Sequence, residues 1–152
     1  MEQLVGTYGY PALFAVSFLA ATLIPLGSEW LLIAMVLQHF SPVSAVTVAT
    51  AGNYLGALTT YLLGLIGSEF LVRKLLRIDT TRQEKAERFY QRYGSWSLLL
   101  SWVPIVGDPL CLVGGILKVP FARFSLLVLA GKAVRYAVVA YLTIQGATLL
   151  KP

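Results

Sequence analysis

Four ionisable side chains stand inside otherwise apolar sequence: Glu29, Asp108, Lys132 and Arg135. Lys132 and Arg135 are three positions apart, a spacing that puts both on one helix face. Two carboxylates and two cations make a neutral set that can pair. A carboxylate held in a low dielectric keeps its proton to higher pH, so it can take up and release a proton and couple movement to a proton gradient. Ammonium and guanidinium groups receive phosphate, the guanidinium by bidentate contact. The competing reading is structural, with the charges only holding transmembrane segments in register. An acidic residue at the centre of a membrane helix costs about 2.5–3.5 kcal/mol on insertion scales, so each one needs a reason to be there.

Other chemistries have few residues to work with. Cys111 is the single cysteine and His39 the single histidine, which excludes intramolecular disulfides and a thiolate metal cluster. His39 reads as a buried or interfacial residue with no metal role. Nucleophile–base pairs are scarce, and a lipid phosphatase would want a histidine near its arginines, whereas His39 is expected on the side opposite the basic residues. The expectation is a protein that is not an enzyme and uses no metal or cofactor.

The elements that must carry these charges are read from hydropathy. With 57% hydrophobic and 12% charged residues and a mean hydropathy of +0.74, the 152-residue chain is one domain whose solvent is the bilayer. Met1-Glu2-Gln3 lacks a basic n-region, so no cleavable signal is expected. The net charge of +5 does not imply nucleic acid, because seven of the twelve Lys and Arg lie between Arg73 and Arg92, a topological pattern. Apolar blocks run from Tyr10 to Gln38, Ser44 to Gly67, Gly94 to Leu117 and Phe124 to Leu150. A spanning helix needs about 20 apolar residues, which the second and fourth blocks supply. The first and third are punctured by Pro25, Gly27, Ser28 and Glu29, and by Pro104, Gly107, Asp108 and Pro109. Split there, the arms are about ten to sixteen residues, too short to span alone. Both blocks are read as re-entrant helical hairpins with tips near mid-membrane, where protein or a watery cavity satisfies the freed backbone. The alternative is two kinked but complete transmembrane helices.

A shift of 79 positions lays Pro25 on Pro104, Glu29 on Asp108, Gly52 on Gly131 and Gly67 on Gly146. Both halves open on an aromatic-glycine pair, Tyr8-Gly9 and Tyr93-Gly94, with the first arm about six residues longer. Each half then holds one hairpin and one crossing, and a single crossing inverts the second half, the plan of many secondary transporters. Asn53 falls opposite Lys132 and Gly56 opposite Arg135, so cations break the symmetry; Gly52, Asn53, Gly56 and Gly131 are expected to pack helices. The fold class is thus all-α integral membrane: repeat 1 over about 8–68, a basic amphipathic link over 69–93, repeat 2 over about 94–150. In the link, Thr81 and Glu84 have capping-box spacing, and Ala86, Phe89, Tyr90 and Tyr93 mark one face of an interfacial helix. Its positive charge favours the cytoplasmic side and can meet anionic head groups, though orientation alone explains it. Lys118 and Arg123 share that side in the hairpin reading, with both termini and the His39 to Val43 turn outside. Trp30, Trp96 and Trp102 are interface or packing residues, or contacts for a lipid chain.

These residues resemble the DedA superfamily of membrane proteins, also called VTT or SNARE-associated, and its short YqaA-like branch. Ile24-Pro25-Leu26-Gly27-Ser28-Glu29 is similar to the family's first proline-rich tip. Gly52-Asn53 with Gly56, Tyr61 and Gly64 resembles the helix that follows; Phe89, Arg92, Gly94, Pro104 and Gly114-Gly115 resemble the approach to the second tip and its return. The family usually carries arginines around the second-tip proline, where this chain has Ser101-Trp102 and Gly107-Asp108; Lys132 and Arg135 are candidates to supply that charge. The resemblance implies paired re-entrant hairpins, a bacterial or archaeal cytoplasmic membrane, and proton-linked movement of lipids between leaflets, including the undecaprenyl-phosphate carrier. The expected function is therefore a lipid flippase or scramblase for a phosphorylated lipid, a polyprenyl phosphate or phospholipid. Glu29 and Asp108 would be proton-switched, with Lys132 and Arg135 facing phosphate. The expected partners are anionic or phosphorylated membrane lipids and protons, with a homo-oligomer left open. The alternatives are a proton-coupled small-solute or ion transporter and a non-transporting assembly protein.

Overall fold

Local chemistry sets where the apolar stretches begin and end as helices. The computed structural model describes residues 2–22, 27–67, 80–103 and 106–149. Within it α1 spans Glu2–Ala20, α2 Glu29–Leu37 and α3 Pro42–Ile66. A basic helix, α4 (Thr80–Tyr93), leads into a 3-10 segment, Gly94–Trp102, followed by α5 (Gly107–Ile116) and α6 (Phe121–Leu149). No strand occurs among the described residues. Ser41 caps α3 by accepting from the Ser44 amide at 3.4 Å, with Pro42 in the first turn, where its missing N–H costs nothing. Gly94, at φ 61°, takes the left-handed conformation that ends α4 and lets the chain wind on as a 3-10 helix. α1 starts at Glu2, ahead of the apolar block expected from Tyr10, and α4 starts at Thr80, one residue before the Thr81 of the capping-box spacing.

In the first half the chain turns back on itself. The Tyr10 and Phe40 rings meet edge to face at 5.5 Å, and Met35 and Phe40 lie against Gly9. An uninterrupted helix would hold residues 10 and 40 about 45 Å apart. In the second half Leu98 of the 3-10 segment lies against Gly114 of α5. The expected tip prolines Pro25 and Pro104 fall outside the described residues, as does the 69–79 part of the link.

Two apolar clusters hold the helices together. In one, Ala57 and Tyr61 of α3 pack with Leu98, with Leu110 and Val113 of α5, and with Phe124 and Val128 of α6; Tyr61 stacks on Phe124 at 4.2 Å. In the other, Leu13 of α1, Leu32 and Met35 of α2, Ala45 and Ala49 of α3, and Tyr136 and Ala140 of α6 pack together. The clusters define two ends. The turn at His39 and Phe40 shares a cavity of about 540 Å³ with Thr143, Ile144 and Thr148 near the end of α6. At the opposite end the Tyr61 hydroxyl donates to the Val119 carbonyl at 2.6 Å, and Phe89 and Tyr90 of α4 pack on the same cluster. Lys85, Arg88 and Arg92 are exposed there. Of the face expected on α4, Phe89 and Tyr90 turn inward and Tyr93 stays half exposed, while the Ala86 side chain lies outside the description.

Among the described helices α6 alone is both long and apolar enough to cross a membrane. The second block was expected to qualify as well. At 25 residues α3 has the length, about 37 Å, but its buried positions include Thr50, Gly52, Asn53, Gly56, Thr60 and Gly64, which lower its hydropathy.

Candidate functional site

Polar groups collect where the two apolar clusters meet. Along α3 they fall between Ala49 and Ala57; along α6 they fall between Val128 and Tyr136. Lys132, only 3% exposed, donates to the Asn53 side-chain oxygen, and the Asn53 amide donates to the Ser17 carbonyl at 3.1 Å. Burying an ammonium is tolerated when such acceptors are aimed at it. Arg135 pairs with Glu29 at the start of α2 and also donates to the Trp102 carbonyl. This pair is about one-fifth exposed, so it lies at the margin of the packed interior. The Ser28 and Tyr136 hydroxyls share a buried hydrogen bond, tying the entry of α2 to α6. Asp108, in the first turn of α5, lies within the fields of Lys132 and Arg135 but makes no direct ion pair among the described residues. The hydroxyls of Thr50 and Ser101 are buried with no hydrogen-bond partner among the described residues.

The glycines explain how the backbones approach this layer. A Cβ on Gly52 would lie 2.5 Å from the Phe14 carbonyl oxygen, and one on Gly131 would lie 2.6 Å from that of Leu99. Both α3 and α6 thus pass a helix of their own half at a glycine. Gly56 meets the Phe18 carbonyl in the same way, whereas at the corresponding place in the second half Arg135 reaches out and donates to the Trp102 carbonyl. Gly107 opens α5 against the Ser101 carbonyl, Pro109 is buried in its first turn, and Gly27 precedes α2 beside Glu29.

Asn53 and Lys132, which touch, are themselves 79 residues apart. The same shift carries the first residue of α3, Pro42, onto that of α6, Phe121, and the last of α2, Leu37, onto that of α5, Ile116. It also carries His39 onto Lys118, two non-glycine residues with left-handed backbone at φ 66° and 52°.

Of the residues singled out from sequence, the structure brings together Glu29 with Arg135, and Lys132 with Asn53. Asp108 is near both cations without touching either in an ion pair. Lys132 is turned into the packed interior, so of the two cations expected to face phosphate it is Arg135 that retains exposure. Sequence reasoning missed Tyr136, the two buried hydroxyls and the Trp102 carbonyl. Nothing in hydropathy marks these; for Asn53 and Lys132 the one signal was that they fall opposite each other in the 79-residue shift.

The VTT domain matches the chain over residues 24–145. The chain is 46% identical over 136 residues to the inner membrane protein YqaA of Escherichia coli, covering 89% of this chain and 91% of that one. It is 34% identical over 139 residues to an uncharacterized protein of Haemophilus influenzae, covering 86% and 85%, and 26% identical over 134 residues to the uncharacterized membrane protein YbfM of Bacillus subtilis, covering 82% of each. No solved structure matches. Since the domain covers most of the chain and a relative shares nearly half its residues across that span, the chain belongs to the VTT-domain, or DedA, family.

Proposed function

We propose that this chain is a multi-pass protein of the bacterial inner membrane that passes a phosphorylated lipid from one leaflet to the other, without catalysing a covalent step. In this reading α1 with α2, and the 3-10 segment with α5, are re-entrant hairpins entering from opposite faces. The end bearing α4, Lys118 and Arg123 is cytoplasmic, by the excess of positive charge. The name of the Escherichia coli relative supports the membrane assignment.

The observation that carries the reading is the partly exposed Glu29–Arg135 pair in a polar layer between two apolar clusters. A guanidinium tied to a carboxylate is freed when that carboxylate takes a proton, and can then accept phosphate in its place. Lys132 is fixed on Asn53 one turn away, and Asp108, in the first turn of α5, is a second carboxylate of the set.

The test is leaflet translocation of a fluorescent phosphatidylglycerol in liposomes holding purified protein, read by how much label an impermeant reductant reaches from outside. Arg135→Ala and Glu29→Gln should each slow translocation at least tenfold while leaving helicity and insertion unchanged. If both variants translocate at the parent rate, the proposal fails.

A further inference from the structure

A second lipid contact lies away from the polar layer, at the end of the bundle that carries α4. Ser95 and Trp96 of the 3-10 segment and Arg123, Leu126 and Leu127 of α6 enclose a cavity of about 470 Å³, within the roughly 300–1,000 Å³ of small-ligand pockets. Its lining is divided by chemistry. Arg123 is exposed in the first turn of α6 and Trp96 is 71% exposed, an indole with one apolar face and one N–H donor. Ser95 adds a hydroxyl 3.3 Å from that of Tyr90. Leu126, 71% exposed, and Leu127 form an apolar floor running along α6 from this end toward its middle. A cation, an interfacial indole and a hydroxyl at the rim, above two leucines that continue inward, match the division of a phospholipid into charged head and apolar chain. A free anion would leave the leucine floor unused.

We infer that the Ser95–Trp96–Arg123 cavity holds the head group of an anionic phospholipid, with its chain along Leu126 and Leu127. Charge complementarity selects this occupant. Arg123 shares its end of the molecule with exposed Lys118, Lys85, Arg88 and Arg92, so a negatively charged lipid surface is favoured there. The site goes beyond the translocation reading and does not depend on it, because a lipid held here need never cross.

The experiment uses the full chain with Trp30→Phe and Trp102→Phe, which leaves Trp96 as the one tryptophan of the original three. In nanodiscs, quenching of Trp96 is compared for brominated phosphatidylglycerol and brominated phosphatidylcholine at equal mole fractions. The anionic lipid should reach half-maximal quenching at about one-fifth the mole fraction, the factor expected from one basic residue at the membrane surface. Arg123→Gln should erase that preference, Arg123→Lys should keep most of it, and Lys85→Gln with Arg88→Gln, outside the cavity, should leave it in place. Excess inorganic phosphate should not relieve the quenching. Equal quenching by the two lipids in the chain bearing Arg123 would overturn the inference without recourse to any charge variant. So would relief by phosphate, or a preference that follows the α4 residues and ignores Arg123.

Discussion

Replacing Asn53 should harm the protein more than replacing the lysine it holds, and replacing both should undo much of the harm. Asn53→Ala leaves the Lys132 ammonium, 3% exposed, without its side-chain acceptor. Breaking a buried charged contact by deleting one partner costs about 3–5 kcal/mol. Lys132→Met keeps a long unbranched side chain but removes the charge. It strands the Asn53 oxygen, at about 1–3 kcal/mol, while relieving the burial of an ammonium, so the net cost should be roughly 0–2 kcal/mol. In the double variant neither group is stranded, and what remains is the lost hydrogen bond from Asn53 to the Ser17 carbonyl, about 1 kcal/mol, with some loss of packing. The double variant should therefore be more stable than Asn53→Ala alone by about 2 kcal/mol. Loss of helicity during titration with sodium dodecyl sulfate in mixed micelles measures all four forms. If the double variant is no more stable than Asn53→Ala, the ammonium is not held by that amide and the account of the polar layer is wrong.

Gly52→Ala and Gly131→Ala should each cost about 1–3 kcal/mol in the same titration, and by similar amounts, because each new methyl would press on an arm carbonyl at nearly the same distance. A harmless substitution at either would refute the shared close approach. Tyr136→Phe strands the buried Ser28 hydroxyl and should cost about 1–3 kcal/mol, whereas Tyr141→Phe on the exposed side of α6 should cost less than about 0.5 kcal/mol. Comparable effects at the two tyrosines would count against the Ser28 contact. In a Cys111→Ala background, cysteines at Val43 and Leu149 should label with an impermeant maleimide from one face of the membrane, and cysteines at Thr81 and Lys118 from the other. Labelling of Val43 and Lys118 from the same face would end the proposed topology.

Much of this was legible in the residues because rare punctuation in an apolar chain carries strong constraints. Gly52 and Gly131, matched in the 79-residue shift, each meet a carbonyl of a neighbouring segment, whereas the shared starts of α3 and α6 at Pro42 and Phe121 were not read from sequence, the blocks there being drawn from Ser44 and Phe124. That Glu29 would have a cation as partner followed from the cost of holding a charge away from water unpaired. Which cation would take which partner was not legible, because side-chain direction depends on how α3 and α6 cross. The tyrosine and serine hydroxyls stayed hidden for another reason: in an apolar chain a hydroxyl can bond its own helix, as Thr47 and Thr59 do, and its residue type does not reveal when it reaches across instead.

The winding of the second arm acts as a ruler. Nine residues at the 3-10 rise of about 2.0 Å reach roughly 18 Å, where the same residues as α-helix would reach about 13.5 Å. The tighter coil lends the shorter arm the depth of about three extra α-helical residues. If the halves are repeats as proposed, the second, shorter by some six residues, recovers about half of the missing length. Insertions or deletions in this arm should be absorbed by changing its pitch before they displace the charged layer beneath it.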